Sequence, residues 1–223
     1  MSIASPSRRP DETVDRPRPR PRTRRGTETR RRIEEAAGRL FTRGGYTSTT
    51  MQAIADDAGV HVQTIYLAYR TKAALLAACA ARLVAGDEDP DTHPSERRWA
   101  REVAAERDPR AKLARYIRQI AEVSPRITPL LDVLRATAAA EPDVAEFLTE
   151  MESGRREGPH QLLGLGVPEG TWRAGLTPDD VADIVFTLAS PDTLRALVTQ
   201  CGWDPIAARA FILRTLEREL LTG

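Results

Sequence analysis

Residues 45–71, GYTSTTMQAIADDAGVHVQTIYLAYRT, decide the fold of this chain. Thr49 is a good helix N-cap, and Gln52 three residues later has the spacing of a capping box. Met51, Ile54, Ala55 and Ala58 then recur at helical spacing, so the first helix buries one face. Gly59 permits the left-handed turn that ends it. A second helix follows at once. Ile65 faces inward, which leaves His61, Gln63, Thr64, Tyr66 and Tyr69 for other work. Two short helices joined at a glycine, the second rich in hydrogen-bonding and aromatic groups, form a helix-turn-helix. A helix of that kind fits the DNA major groove and can read base edges there.

The flanks agree. Upstream, Ile33, Ala36, Ala37, Leu40 and Phe41 fall at i, i+3, i+4, i+7 and i+8, an amphipathic stripe. Thr27 or Thr29 can cap the start of this helix, Gly44–Gly45 stops it, and Tyr46 can fold back onto Phe41. Downstream, Lys72 opens a fourth helix that runs to about Val84.

Residues 29–76 resemble the DNA-binding domain of the tetracycline-repressor-type (TetR) family of bacterial transcription regulators. The resemblance rests on Phe41, Gly45–Tyr46, Thr49–Thr50, Ile54–Ala55, Ala58–Gly59–Val60, Thr64, Tyr66, Tyr69, Lys72 and Leu75, all at the family's offsets. His61 stands where the family often has Ser, and Tyr69 where it often has Phe or His. The resemblance implies base contacts from Gln52, Val62, Gln63 and Tyr66. Gln can bond adenine bidentately, and Val or Tyr can touch a thymine methyl. It implies phosphate contacts from Thr50, Thr64, Tyr69 and Lys72, with His61 able to make either kind.

The rest of the chain bounds the architecture. No β-type alternation appears, and Ala and Leu dominate, so the expectation is an all-α protein. Its parts are an Arg/Pro-rich disordered arm (1–26), a three-helix helix-turn-helix domain (27–72) and a helical effector-binding and dimerisation domain (73–223). The net charge of +1 hides an asymmetry: +5 over residues 1–26, +2 over 27–72 and −6 over the remainder. The basic end is the DNA end, and the acidic body avoids phosphates. The arm can serve as a solvated tail, or touch phosphates or the minor groove beside an operator. Cys79 and Cys201 are far apart and lack metal spacing, which suits a reducing cytoplasm. No apolar leader is present, and the most apolar run, Ala73 to Ala81, is far short of the ~20 residues a membrane span needs.

In the C-terminal part, helix starts are marked by a residue followed by Pro at the first helical position: Asp108–Pro109, Glu141–Pro142, Thr177–Pro178, Ser190–Pro191 and Asp204–Pro205. Gly158–Pro159 should break or kink the helix begun near Asp143. Apolar stripes at 178–200 (Val181, Ile184, Val185, Leu188, Leu194, Leu197, Val198) and 205–221 (Ile206, Ala210, Leu213, Leu216, Leu220) match the helices through which the family pairs as a homodimer. The resemblance also implies a small-molecule effector. Material for a pocket is Trp99, Tyr116, Phe147, Met151, Trp172 and Phe186, with Arg135 and His160 as polar anchors.

No cofactor, metal site or enzyme is expected. Gly164–Leu165–Gly166 follows no strand, and His61, His93 and His160 have no partners at motif spacing. The expected function is a repressor released from a palindromic operator by a ligand. The alternative is a ligand-independent DNA-binding or architectural factor, or an activator working through a protein partner.

Overall fold

A computed structural model of the chain describes residues 24–222. Up to residue 23, the Arg/Pro-rich arm lies outside them. The described residues form ten α-helices: α1 (Arg24–Gly44), α2 (Met51–Ala58), α3 (Val62–Tyr69), α4 (Lys72–Ala85), α5 (Arg98–Ala105), α6 (Pro109–Ala138), α7 (Pro142–Leu163), α8 (Pro178–Leu188), α9 (Pro191–Arg195) and α10 (Pro205–Leu220). A 3-10 turn precedes α5, and one π-helical stretch, Ala196–Gln200, continues α9. The one extended pairing among them is an isolated bridge between Trp172 and Leu221.

Capping explains where the later helices begin. Asp108, Thr177, Ser190 and Asp204 each accept a backbone N–H from the first turn, and a proline follows each one. Thr177 and Asp180 close a full capping box. At α1 the expectation differs from the structure. The helix starts at Arg24, so Thr27 and Thr29 lie inside it, and the Thr29 hydroxyl donates back to the Arg25 carbonyl at 3.0 Å. Of the break or kink expected at Gly158–Pro159, the break does not occur: α7 runs on to Leu163. Pro159 removes a single helical hydrogen bond, and burial of Pro159, Leu162 and Leu163 holds the last turn in place.

Two apolar clusters organise the molecule. One joins α1–α4 to the second half of α6 through Ile33, Phe41, Ile54, Ile65, Leu76 and Leu130. The other joins α5, the first half of α6, the end of α7, and α8–α10. Helix α6 is therefore a strut of roughly 45 Å whose two halves serve different cores. Its far half packs on α1 and α4.

Charges hold the struts together. Arg135 of α6 grips Asp192 of α9 with two bonds of 2.8 Å and reaches Glu152 of α7 at 3.5 Å. Arg155 bonds Glu152 and the Phe186 carbonyl, and lies 3.7 Å over the Phe186 ring. The Asp192 carboxyl is held below the usual aspartate range, first by its hydrogen bonds from Arg135. On α10 the apolar stripe is partly the one expected. Leu216 and Leu220 are buried, as are Ala208 and Ile212, while Ala210 and Leu213 are only partly so and Ile206 is 68% exposed because none of the described residues covers that side of the first turn.

Candidate nucleic-acid interface

Helices α1, α2 and α3 build a reading head from local contacts. Thr50, not Thr49, caps α2: its hydroxyl accepts the Ala53 N–H at 3.1 Å. Thr49 is buried instead, and its hydroxyl donates to the Gly45 carbonyl at 2.8 Å. Gln52 closes no capping box; its amide donates to Asp56 one turn on, at 2.8 Å. Gly59 adopts the left-handed conformation, φ 62° and ψ 46°, that the tight turn requires. Arg32 of α1 reaches across to the carbonyls of Ala58 and Gly59 and so satisfies the C-terminal end of α2. His61 precedes α3 without a side-chain capping bond.

One side of α3 is pinned to the core and the other is open. Ile65 is fully buried, while Gln63 and Tyr66 face outward with Tyr66 50% exposed. Thr50, Gln52 and His61 are exposed, and Val62 and Thr64 are partly so. These side chains share the open side of the α2–α3 unit and are free to meet a groove.

Two expected phosphate contacts are placed differently. Tyr69 is buried, with its hydroxyl donating to the buried Glu34 carboxylate at 2.8 Å. Burial, and after it Glu34, push the phenol well above its ordinary pKa. Tyr69 therefore braces α3 against α1 and offers no hydroxyl to a phosphate. Arg30 adds to that brace, bonding the Ala68 carbonyl at 3.2 Å and lying over the Tyr69 ring. Glu34 also pairs with Arg82 of α4, so one carboxylate ties three helices together. Lys72 donates to the carbonyls of Tyr46 at 2.8 Å and Thr49 at 3.1 Å, and sits 4.2 Å over the Tyr46 ring. An ammonium carries three N–H donors, so one remains for a phosphate at the N-terminus of α2. Lys72→Ala should then cost about 1–2 kcal/mol of stability and flatten the salt dependence of DNA binding by about one unit of slope. Urea unfolding and binding at several salt concentrations separate the two effects.

Two residues of this surface escaped the sequence reading. Leu67 is 87% exposed, one turn beyond Gln63, and adds an apolar group to the open side of α3. Its helical spacing from Gln63 was the available signal. Arg70 ends α3 at φ 61° and ψ −51°, a conformation that L-residues rarely adopt. Such strain costs on the order of 1 kcal/mol and tends to persist at functional sites. Arg70→Gly should raise the melting temperature by roughly 2–4 °C while weakening DNA binding through loss of a cation; a thermal melt and a binding titration on one sample check both signs.

The eight candidate effector contacts fall into several groups. Trp99 and Tyr116 meet edge to face at 6.2 Å in the body core, where Tyr116 is buried. Phe147 and Met151 pack against the cluster under the reading head, and Trp172 sits by Leu221 near the chain's end. Arg135 and Phe186 belong to the ion-pair network. His160 is exposed, 3.2 Å from Asp179.

Comparison with known proteins places this geometry. Residues 33–79 match the model of the bacterial regulatory proteins of the tetR family. No curated protein matches the sequence. Among solved structures, NalD, the secondary repressor of the MexAB-OprM multidrug efflux pump in Pseudomonas aeruginosa, is 19% identical with a TM-score of 0.65, over 88% of this chain and 98% of that one. A protein described as a transcriptional regulator from Saccharomonospora viridis, in complex with choline, is 20% identical with a TM-score of 0.65, over 88% of this chain and 100% of that one. FadR from Bacillus subtilis, in complex with stearoyl-CoA, is 17% identical with a TM-score of 0.59, over 83% and 96%. At these identities the structural likeness speaks to the fold, and residues 33–79 resemble the DNA-binding domain of the tetR-family bacterial regulatory proteins.

Proposed function

We propose that this chain is a homodimeric repressor that binds a palindromic operator and is released by a small molecule. The single observation that carries the reading is the α2–α3 surface. Thr50, Gln52, Gln63, Tyr66 and Leu67 are open to a groove, while buried Ile65 and the Tyr69–Glu34 bond fix the helix that presents them. Gln63, Tyr66 and Val62 read bases; Thr50, Thr64 and Lys72 position the head on phosphates.

Pairing follows from the exposed apolar groups around α10. Trp203 and Phe211 are both exposed and meet edge to face at 5.2 Å. An aromatic patch of this kind suits a second copy of the chain, and a twofold pair would present two α3 helices to half-sites about 34–36 Å apart. Small molecules in the structures of two similar proteins, choline and stearoyl-CoA, support an effector. Their chemistries differ, so neither names the ligand of this chain.

The test is Phe211→Glu. Sedimentation should show the wild type as a dimer and the variant as a monomer, with operator affinity falling at least about 100-fold as one half-site is lost. A monomeric wild type that still binds a palindrome tightly would overturn the dimeric reading.

A further inference from the structure

We propose that the cavity between α6, α9 and the first turns of α10 is the effector site, and that it takes a molecule with an aliphatic body and one anionic group. The inference rests on the regulator reading above and adds a site and a ligand class to it. The cavity has a volume of about 450 Å³, in the range of small-molecule sites. None of the eight candidate residues from the sequence lines it. Its walls are largely apolar: Pro125 and Pro129 from α6, Leu194 and Val198 from α9 and its continuation, and Ile206 from α10.

Backbone irregularity is concentrated on the same walls. Pro125 has no N–H to give to the Ala121 carbonyl, and Pro129 none for the Pro125 carbonyl. The hydroxyls of Ser124 and Thr128 donate inward, to the carbonyls of Ile120 at 2.6 Å and Ser124 at 2.7 Å. Opposite them lies the π-helical stretch Ala196–Gln200, which supplies Val198 and Thr199. Single π turns inside helices occur often at functional sites.

Charge decides the head group. Arg209 lines the cavity and forms no ion pair among the described residues. Arg195 lines it too. Its terminal nitrogens pair with Asp192 at 3.1 Å and Asp132 at 3.6 Å, while its Nε is buried with no partner. The acid on the rim is Glu122, which also borders a neighbouring cleft where acids and arginines are interleaved. The free cation facing the apolar walls is therefore Arg209, which suits a carboxylate or another anion.

Position supplies the link to DNA. Residues of α6 between 121 and 129 line the cavity, and Ile127 on the same turns, with Leu130 and Leu134 beyond, belongs to the core beneath the reading head. The opposite wall belongs to the helices of the proposed pairing face. A ligand wedged between them shifts the pairing face relative to the head and so changes the spacing of the two α3 helices.

The experiment is calorimetric titration of the full chain, without DNA, with decanoate, decanol and decyltrimethylammonium. Decanoate should bind at least about tenfold tighter than decanol, and decyltrimethylammonium more weakly still. Arg209→Ala should erase the preference for decanoate and leave decanol unchanged. Val198→Trp, which fills the cavity, should abolish binding of all three; Thr199→Trp is the second filling variant should the first not fold. Equal binding of the three probes, tightest binding by decyltrimethylammonium, unchanged binding in the filling variants, or no decanoate binding at about 1 mM would each overturn the proposal. Operator release is measured separately. Decanoate binding without release would overturn the effector role. A protein that binds decanoate but no DNA would sink the regulator reading and leave the site standing.

Discussion

Lys112→Ala should be among the most damaging single substitutions in this protein, lowering stability by about 3–5 kcal/mol. Lys112 is fully buried. Its ammonium donates to the carbonyls of Ala104, Leu162 and Leu165, at 3.4, 3.2 and 2.5 Å. The carbonyls of Ala104 and Leu162 lie at the C-terminal ends of α5 and α7, where helices run out of internal donors, and that of Leu165 lies in the turn after α7. One side chain of α6 thus caps two neighbouring helices and fixes where α5, α6 and α7 meet. Alanine leaves the buried Leu162 carbonyl and the part-buried carbonyls of Ala104 and Leu165 without this donor, and opens a cavity as well. Lys112→Met fills most of the space but donates nothing, so it should recover only the packing part, about 1–2 kcal/mol. Burial pulls the ammonium below its ordinary pKa, yet the carbonyl cage favours the charged form that can donate. Urea unfolding of the three proteins tests this. A methionine variant as stable as wild type would mean that the three hydrogen bonds contribute nothing.

The second large effect is at the reading head. Tyr66→Ala should reduce operator affinity at least about 100-fold in a dimer, since each good base contact is worth about 1–3 kcal/mol and two heads lose it together. Tyr66 is 50% exposed and its hydroxyl makes no hydrogen bond within the described residues, so its removal should leave the melting temperature within about 2 °C of wild type. Gln63→Ala should act differently, relaxing the preference at one base position rather than weakening binding to every sequence. Competition between operator variants separates the two results. A Tyr66→Ala protein that binds normally, or one that unfolds, would assign Tyr66 to packing instead of reading.

The parts of this molecule that are contiguous in sequence were legible there. The head is built from contacts a few turns apart: the Phe41–Tyr46 stack at 5.7 Å, the left-handed Gly59, and the buried stripe Met51, Ile54, Ala55 and Ala58. Periodicity and glycine placement encode such contacts directly. Helix starts in the body were legible for the same reason, because a cap and a proline are neighbours. Contacts between distant residues were not. Glu34 looks like an ordinary surface acid beside Ile33, and only the fold brings Tyr69 and Arg82 to it. Lys112 reads as a solvated charge until α7 delivers the carbonyls of Leu162 and Leu165. The aromatic residues singled out for a ligand pocket were chosen by type. The fold sets them among both cores, an ion-pair network and the stretch beside Leu221, while the cavity of about 450 Å³ is lined by prolines and aliphatic groups from α6, α9 and α10. Capping shows how a local motif can still be misassigned by one residue: Thr49 and Thr50 both fit the pattern, and the core selects by burying Thr49.

The central claim is that the open side of α2 and α3 reads DNA as one half of a symmetric pair. The most direct measurement is selection of bound fragments from a genomic DNA pool by the purified full chain at near-physiological salt, with Tyr66→Ala in parallel. A short palindrome should be enriched by the wild type and lost by the variant. An asymmetric motif, no motif, or the same pool recovered by both proteins would contradict it.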